Sequence, residues 1–159
     1  MIKTEKIIIQ RLNETGQTLS LAESCTGGLV GHRLTNIPGS SHCLKAGVIA
    51  YSNEAKHNIL GIPKDLIEQH GAVSSPVARA MAQGIQRKTK TAYSVAITGI
   101  AGPTGARPGK PVGLVYIAIA TPKKITVKKH LFNGTRTQIK TQSANQALAL
   151  LLSFIKKPH

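Results

Sequence analysis

Three stretches of this sequence carry residue types that do chemistry, and each stands where a strand is expected to end. The first is Ala22-Glu23-Ser24-Cys25-Thr26-Gly27-Gly28, the second Tyr51-Ser52-Asn53-Glu54-Ala55-Lys56, and the third the glycine- and proline-rich run from Gly99 to Gly113 that follows Thr98. Ligands bind at strand ends in open α/β sheets, so the three can share one edge. A serine and a lysine brought together there are able to carry out acyl transfer, provided the lysine is neutral, because only the free amine can take the serine proton. Its reference pKa of about 10.4 must then fall by roughly two to three units through burial and neighbouring positive charge.

The elements around Ser24 suit that task and also a plainer one. Thr18 to Ala22 reads as a short buried strand and Gly28 to Leu34 as the opening of a helix, which places the Ser24 hydroxyl on a strand-to-helix turn. Backbone N–H groups at a helix start favour negative charge, and Gly27 and Gly28 let an anion come close. The geometry serves a phosphate or the oxyanion of an attacked carbonyl, so the segment alone leaves Ser24 as nucleophile, helix cap or part of a phosphate cradle. Lys56 likewise has a plain alternative, a solvated helix face. A thiolate at a helix start is also a nucleophile, but Cys25 is expected to be a small packed residue.

In chain order, Ile2 to Asn13 reads as a helix stopped by Gly16, and Thr26 to about Asn36 as a second helix. Pro38 to Ser41 reads as a loop and Cys43 to Ser52 as a strand. Ser52 or Asn53 caps a short helix carrying Lys56, and Pro63 to Gln69 forms another. Ser74-Ser75-Pro76 opens a helix to about Lys88, and Ala92 to Ile100 is a strand. Leu114 to Thr121 and Ile125 to Phe132 form a hairpin. Asn133-Gly134-Thr135 opens a last helix with a core face of Ile139, Ala144, Ala147, Leu148, Leu151 and Ile155. The expected fold is α/β: one three-layer α/β/α domain over residues 1–159, with a mixed sheet ending in a hairpin and a C-terminal helix.

Composition narrows the chemistry. Lys and Arg number 21 against 6 Asp and Glu, a net charge of +15. All the carboxylates (Glu5, Glu14, Glu23, Glu54, Asp65 and Glu68) lie in the first 68 residues. A two-carboxylate glycosidase or a carboxylate-held metal would have little beyond Glu23 and Glu54 to build on. Cys25 and Cys43 have no zinc-like spacing, and of six scattered histidines only His57 is near a motif. No metal or cofactor is expected. With no apolar run near the roughly 20 residues of a membrane span and no signal-like start, a cytoplasmic protein without membrane contact is expected. The cationic balance suits an anionic ligand, either a phosphorylated metabolite or nucleic acid.

Six ordered motifs settle the preference. Ala22 to Gly28, Tyr51 to Lys56, Gly71-Ala72-Val73-Ser74, Gly99-Ile100-Ala101-Gly102-Pro103, Lys110-Pro111-Val112-Gly113 and Phe132-Asn133-Gly134-Thr135-Arg136 resemble, in one register from about Thr18 to Phe154, the CinA C-terminal-domain family. Its enzymes are amidases that convert nicotinamide mononucleotide to nicotinate mononucleotide and ammonia in pyridine nucleotide salvage. The resemblance implies Ser24 as nucleophile, Lys56 as base and Tyr51 as their assistant. It implies substrate contacts from Thr98, Gly99, Gly102 and Arg136, the last holding the phosphate, and an oxyanion steadied by backbone N–H groups near Thr26, Gly27 and Gly28. It also implies a homodimer or larger homo-oligomer.

Two departures accompany it. Family members usually have a glycine pair, often with an acidic residue, where this chain has Gly105-Ala106-Arg107; Arg107 either adds a phosphate contact or crowds the ribose. Longer members carry an N-terminal pyrophosphatase-like domain, for which 159 residues leave no room. The competing readings are a nucleic-acid-binding module, disfavoured by unclustered aromatics, and a silent member that only binds a nucleotide.

Overall fold

The computed structural model describes residues 4–155. Ile2, at the start of the first expected helix, lies outside them. The order is α1 (Thr4–Glu14), β1 (Leu19–Glu23), α2 (Leu29–Thr35), α3 (Ser40–Cys43), β2 (Leu44–Ile49), α4 (Asn53–Leu60), α5 (Lys64–His70), α6 (Ser75–Thr89), β3 (Tyr93–Gly99), β4 (Leu114–Ala120), β5 (Ile125–Leu131) and α7 (Arg136–Phe154). The strands lie in the order β2-β1-β3-β4-β5, with β1 parallel to β2 and β3, while β3, β4 and β5 run antiparallel in turn. This is the mixed sheet closed by a hairpin and a C-terminal helix that the alternation of elements predicts. One expectation fails locally: the turn-rich stretch after Pro38 winds into the short helix α3, because Gly39, at φ 86°, can enter it from the left-handed region.

Side-chain alternation divides the core in two. Leu21, Val95, Ile97, Ile117 and Ile119 face the layer of α1, α2 and α7, where Ile8, Leu12, Leu34, Leu148 and Leu151 are buried. The opposite face is small: Ala22, Ala96 and Ala118 stand side by side across β1, β3 and β4. Small side chains there let α6 lie close to the sheet, and Ser94 Oγ donates to Ala82 O of that helix at 2.7 Å. Close approach recurs at Gly84 of α6, where a Cβ would collide with the Leu60 carbonyl at the end of α4. Helix α4 is thereby seated on the face to which Ser24 turns. Among the described residues, no helix is long and apolar enough to cross a membrane.

Candidate active site

Ser24 stands one residue past β1, with its N–H donating to Ile97 O at 3.0 Å so that pairing with β3 continues beneath the turn. Gly27 and Gly28, at φ 61° and 96°, then reverse the chain into α2 through a region open to few other residues. On the neighbouring strand end, Ala50 N donates to Glu23 O, which ties the exit of β2 to β1. Ser52 caps α4 by accepting from Ala55 N at 3.0 Å, and the helix so started aims Lys56 back at the sheet.

Lys56 is 2% exposed, a rare fate for a lysine. Its Nζ donates to Ser24 Oγ at 3.0 Å and to Ala50 O at 2.9 Å. Burial pushes the Lys56 pKa down from its ordinary value of 10.5, since the ammonium loses its hydration there. Neighbouring positive charge, the second contributor expected from the cationic sequence, does not contribute to the lowering. The nearby Cys25 thiol is pushed up to about 12, chiefly by its own burial. It is therefore uncharged near neutral pH and a poor nucleophile, and where it does ionise its charge raises the Lys56 pKa against the larger, lowering effect of burial.

The two side chains open onto a cavity of about 260 Å³. Tyr51, Thr98, Gly99, Gly102 and Arg136 line it too, so most of the residues singled out from the sequence meet in one hollow. Their contacts are specific. Thr98 Oγ1, 1% exposed, donates to Ala72 O at 2.9 Å and so fastens the end of β3 to the segment before α6. Gly99 is where β3 and β4 close up: a Cβ there would sit 2.6 Å from Val115 Cγ2 and 2.8 Å from Leu114 O. Arg136 begins α7 behind the capping box of Thr135 and Gln138, and its guanidinium donates to Gly102 O at 2.6 Å and to Tyr51 Oη at 2.8 Å. Tyr51 is thus held at the rim by Arg136, and its hydroxyl is bonded to neither Ser24 nor Lys56. No carboxylate lines the cavity.

Thr26, Gly27 and Gly28 are not brought into it. They line a separate hollow with His32, Thr137 and Lys140. Donors of Thr26 and Gly28 are turned instead to Glu23, which the composition offers, with Glu54, only as a carboxylate for acid–base or metal chemistry. Alternation turns Glu23 to the α2 face of the sheet and Ser24 to the α4 face. Its carboxylate, 3% exposed, accepts from Thr26 Oγ1 at 2.6 Å, Gly28 N at 3.1 Å, Val30 N at 3.2 Å and Gly31 N at 2.8 Å. The start of α2, expected to receive a substrate anion, is already occupied by the protein's own. Gly27 N donates to Ser24 O. Of the three expected oxyanion donors only the Thr26 N–H is left without a partner among the described residues.

Glu23→Ala is expected to destabilise the fold by about 3 kcal/mol, since it strands two buried donors, Thr26 Oγ1 and Val30 N, and two half-buried ones at once. Urea unfolding of the two proteins checks this.

His57 is satisfied within the fold, its Nδ1 donating to Ile62 O at 2.7 Å. Among the described residues no group of three or more His, Cys, Asp or Glu is placed to hold a metal ion. Arg107 neither crowds Ser24 nor lines its cavity; it lies in an adjoining hollow.

Residues 1–155 match the model of the CinA C-terminal domain. The chain is 47% identical over 146 residues to a CinA-like protein of Anaeromyxobacter sp. (strain K), covering 92% of this chain and 36% of that protein. It is 46% identical over 147 residues to a CinA-like protein of Acidobacterium capsulatum, again 92% of this chain and 36% of the relative. The chain thus spans just over a third of the length of the curated relatives it matches. Among solved structures it is similar to the competence or damage-inducible protein of Enterobacter asburiae (TM-score 0.93, 30% identity, 96% of both chains). It is also similar to the competence/damage inducible protein CihA of Agrobacterium tumefaciens (TM-score 0.91, 35% identity, 94% of both chains). With the family model matched over nearly its whole length, this chain belongs to the CinA C-terminal domain family.

Proposed function

We propose that this protein hydrolyses the carboxamide of nicotinamide mononucleotide, giving nicotinate mononucleotide and ammonia, with Ser24 as nucleophile and Lys56 as its base. The observation that carries the reading is the 3.0 Å contact between Ser24 Oγ and a lysine nitrogen that is buried and has a depressed pKa. Once neutral, the amine has one lone pair for the Ser24 proton while an N–H remains on Ala50 O. Ser24 Oγ then adds to the carboxamide carbon as Lys56 takes its proton.

Collapse of the tetrahedral intermediate breaks the C–N bond, and Lys56 returns its proton to the departing nitrogen, which leaves as ammonia. Water adds to the Ser24 ester, losing a proton to Lys56, and the proton goes back to Ser24 Oγ as the acid departs. Both half-reactions use one base.

Arg136 suits the phosphate end of the substrate. Its guanidinium is fixed at the rim by Gly102 and Tyr51, it opens a capped helix, and no carboxylate in the cavity competes for it. Arg136→Ala is expected to raise KM about tenfold with little change in kcat, since the phosphate is bound alike in ground and transition states. Steady-state kinetics check it.

The function itself is tested by incubating the protein with nicotinamide mononucleotide and resolving the products. Equimolar ammonia and nicotinate mononucleotide support it; free nicotinamide, or no reaction at any pH where the fold persists, rules it out.

A further inference from the structure

The Ser24 cavity does not end at its own walls. A second hollow of about 370 Å³ adjoins it and shares Asn53, Ala72, Val73, Ile100 and Gly105 with it, so the two are neighbours across these residues. Arg136 belongs only to the first part; Arg107 and Lys110 belong only to the second. Each of the two adjoining hollows therefore carries a cationic group of its own.

The second pair is held by local structure. Arg107 N donates to Lys110 O at 2.9 Å and Lys110 N to Arg107 O at 2.8 Å, closing a two-residue turn at Pro108 and Gly109. Residues paired in this antiparallel way send their side chains to the same side. The Lys110 ammonium donates to His70 O at the end of α5, which anchors the turn over the hollow and leaves two N–H groups for a ligand. Arg107 makes no ion pair and no side-chain hydrogen bond among the described residues, so its fork of donors is open. Glu68 also faces this hollow, paired with neither cation, which leaves the lining with one net positive charge.

We propose that this annex is a phosphoryl-group subsite separate from Arg136, with Arg107 determining which nucleotides gain from it. It rests on the reading of the Ser24 cavity as a pyridine-nucleotide site. A mononucleotide has one phosphate and uses Arg136; in a pyridine dinucleotide the second phosphoryl group, joined to the first through one oxygen, is the one for which Arg107 is available. A separate inorganic phosphate is the other source of the same chemistry, and the two are told apart by measurement.

Calorimetric titrations on a Ser24→Ala background, which removes turnover, are made with nicotinamide mononucleotide, nicotinamide adenine dinucleotide and inorganic phosphate, with and without Arg107→Ala. Loss of at least about fivefold in dinucleotide affinity, with mononucleotide affinity unchanged, supports a second phosphoryl group of the same ligand. Loss of phosphate binding instead supports a separate anion. Affinities all unchanged, or mononucleotide weakened as much as dinucleotide, overturn the proposal; in the latter case Arg107 holds the first phosphate. If the parent releases no ammonia from the mononucleotide yet phosphate binding still depends on Arg107, the amidase reading fails and the subsite stands. If no probe binds at all, both fail.

Discussion

Lys56→Met is expected to lower amide hydrolysis by about 10²- to 10⁴-fold, the range set by loss of a positioned base, while making the folded protein more stable at neutral pH. Methionine fills nearly the same volume in a site that is 2% exposed, and it removes an ionisable group whose charged form is disfavoured there. The stability effect has a sign fixed by linkage. The folded-state pKa of Lys56 is lowered from 10.5, so between that lowered value and 10.5 the unfolded chain holds a proton that the folded chain lacks. Stability of the parent therefore rises with pH across that window, by at most about 1.4 kcal/mol per pH unit from this group. Above the window the amine is neutral in both states and the contribution is flat; below it the full penalty of burying the charge persists. The variant should lack this slope, and the two curves should converge toward the upper end of the window. Denaturant midpoints of parent and variant at several pH values, with ammonia release measured in parallel, check both halves. A variant that keeps parental turnover would take Lys56 out of the chemistry.

Ser24→Ala should cost still more, at least about 10³-fold in kcat, because a covalent route has no substitute once its nucleophile is gone. The fold should hardly notice. Ser24 contributes a side-chain bond to Lys56, while the bond that continues the sheet comes from its backbone N–H to Ile97 O, which alanine keeps. Ligand binding should survive for the same reason, since Arg136, Gly102 and Thr98 are untouched. The pairing of lost turnover with retained binding, read by ammonia assay and calorimetry on one sample, separates a nucleophile from a structural cap.

Much of this was legible in the residues. The three strand ends that converge on the cavity announce themselves by local signals: a small polar cluster before a helix, a cap followed by a lysine one turn on, and a glycine and proline run too dense for regular structure. Their meeting follows from the parallel pairing of β1 with β2 and β3, which brings the chain to the same sheet edge three times.

What escaped were facts that depend on which face of an element a side chain takes. Glu23 and Ser24 are adjacent in sequence and serve opposite layers; a one-residue change in where β1 ends would exchange their roles. A carboxylate just before a helix is the one signal that would have exposed the Glu23 cap, and it was readable only with that strand end in hand. Tyr51 and Arg136 meet across 85 residues of chain, a pairing no local pattern encodes. Arg107 is a third case: its turn fixes its direction, while the hollow it faces is made by α5 and the segment after it.

The account stands on an uncharged amine beside Ser24, and the pH dependence of kcat/KM for nicotinamide mononucleotide tests that state most directly. It should show an ascending limb with a midpoint below 10.5, the ordinary value for lysine, reporting loss of the proton from Lys56 in the free enzyme. A rate that does not rise with pH, or a limb whose midpoint sits at 10.5 or above, would contradict it.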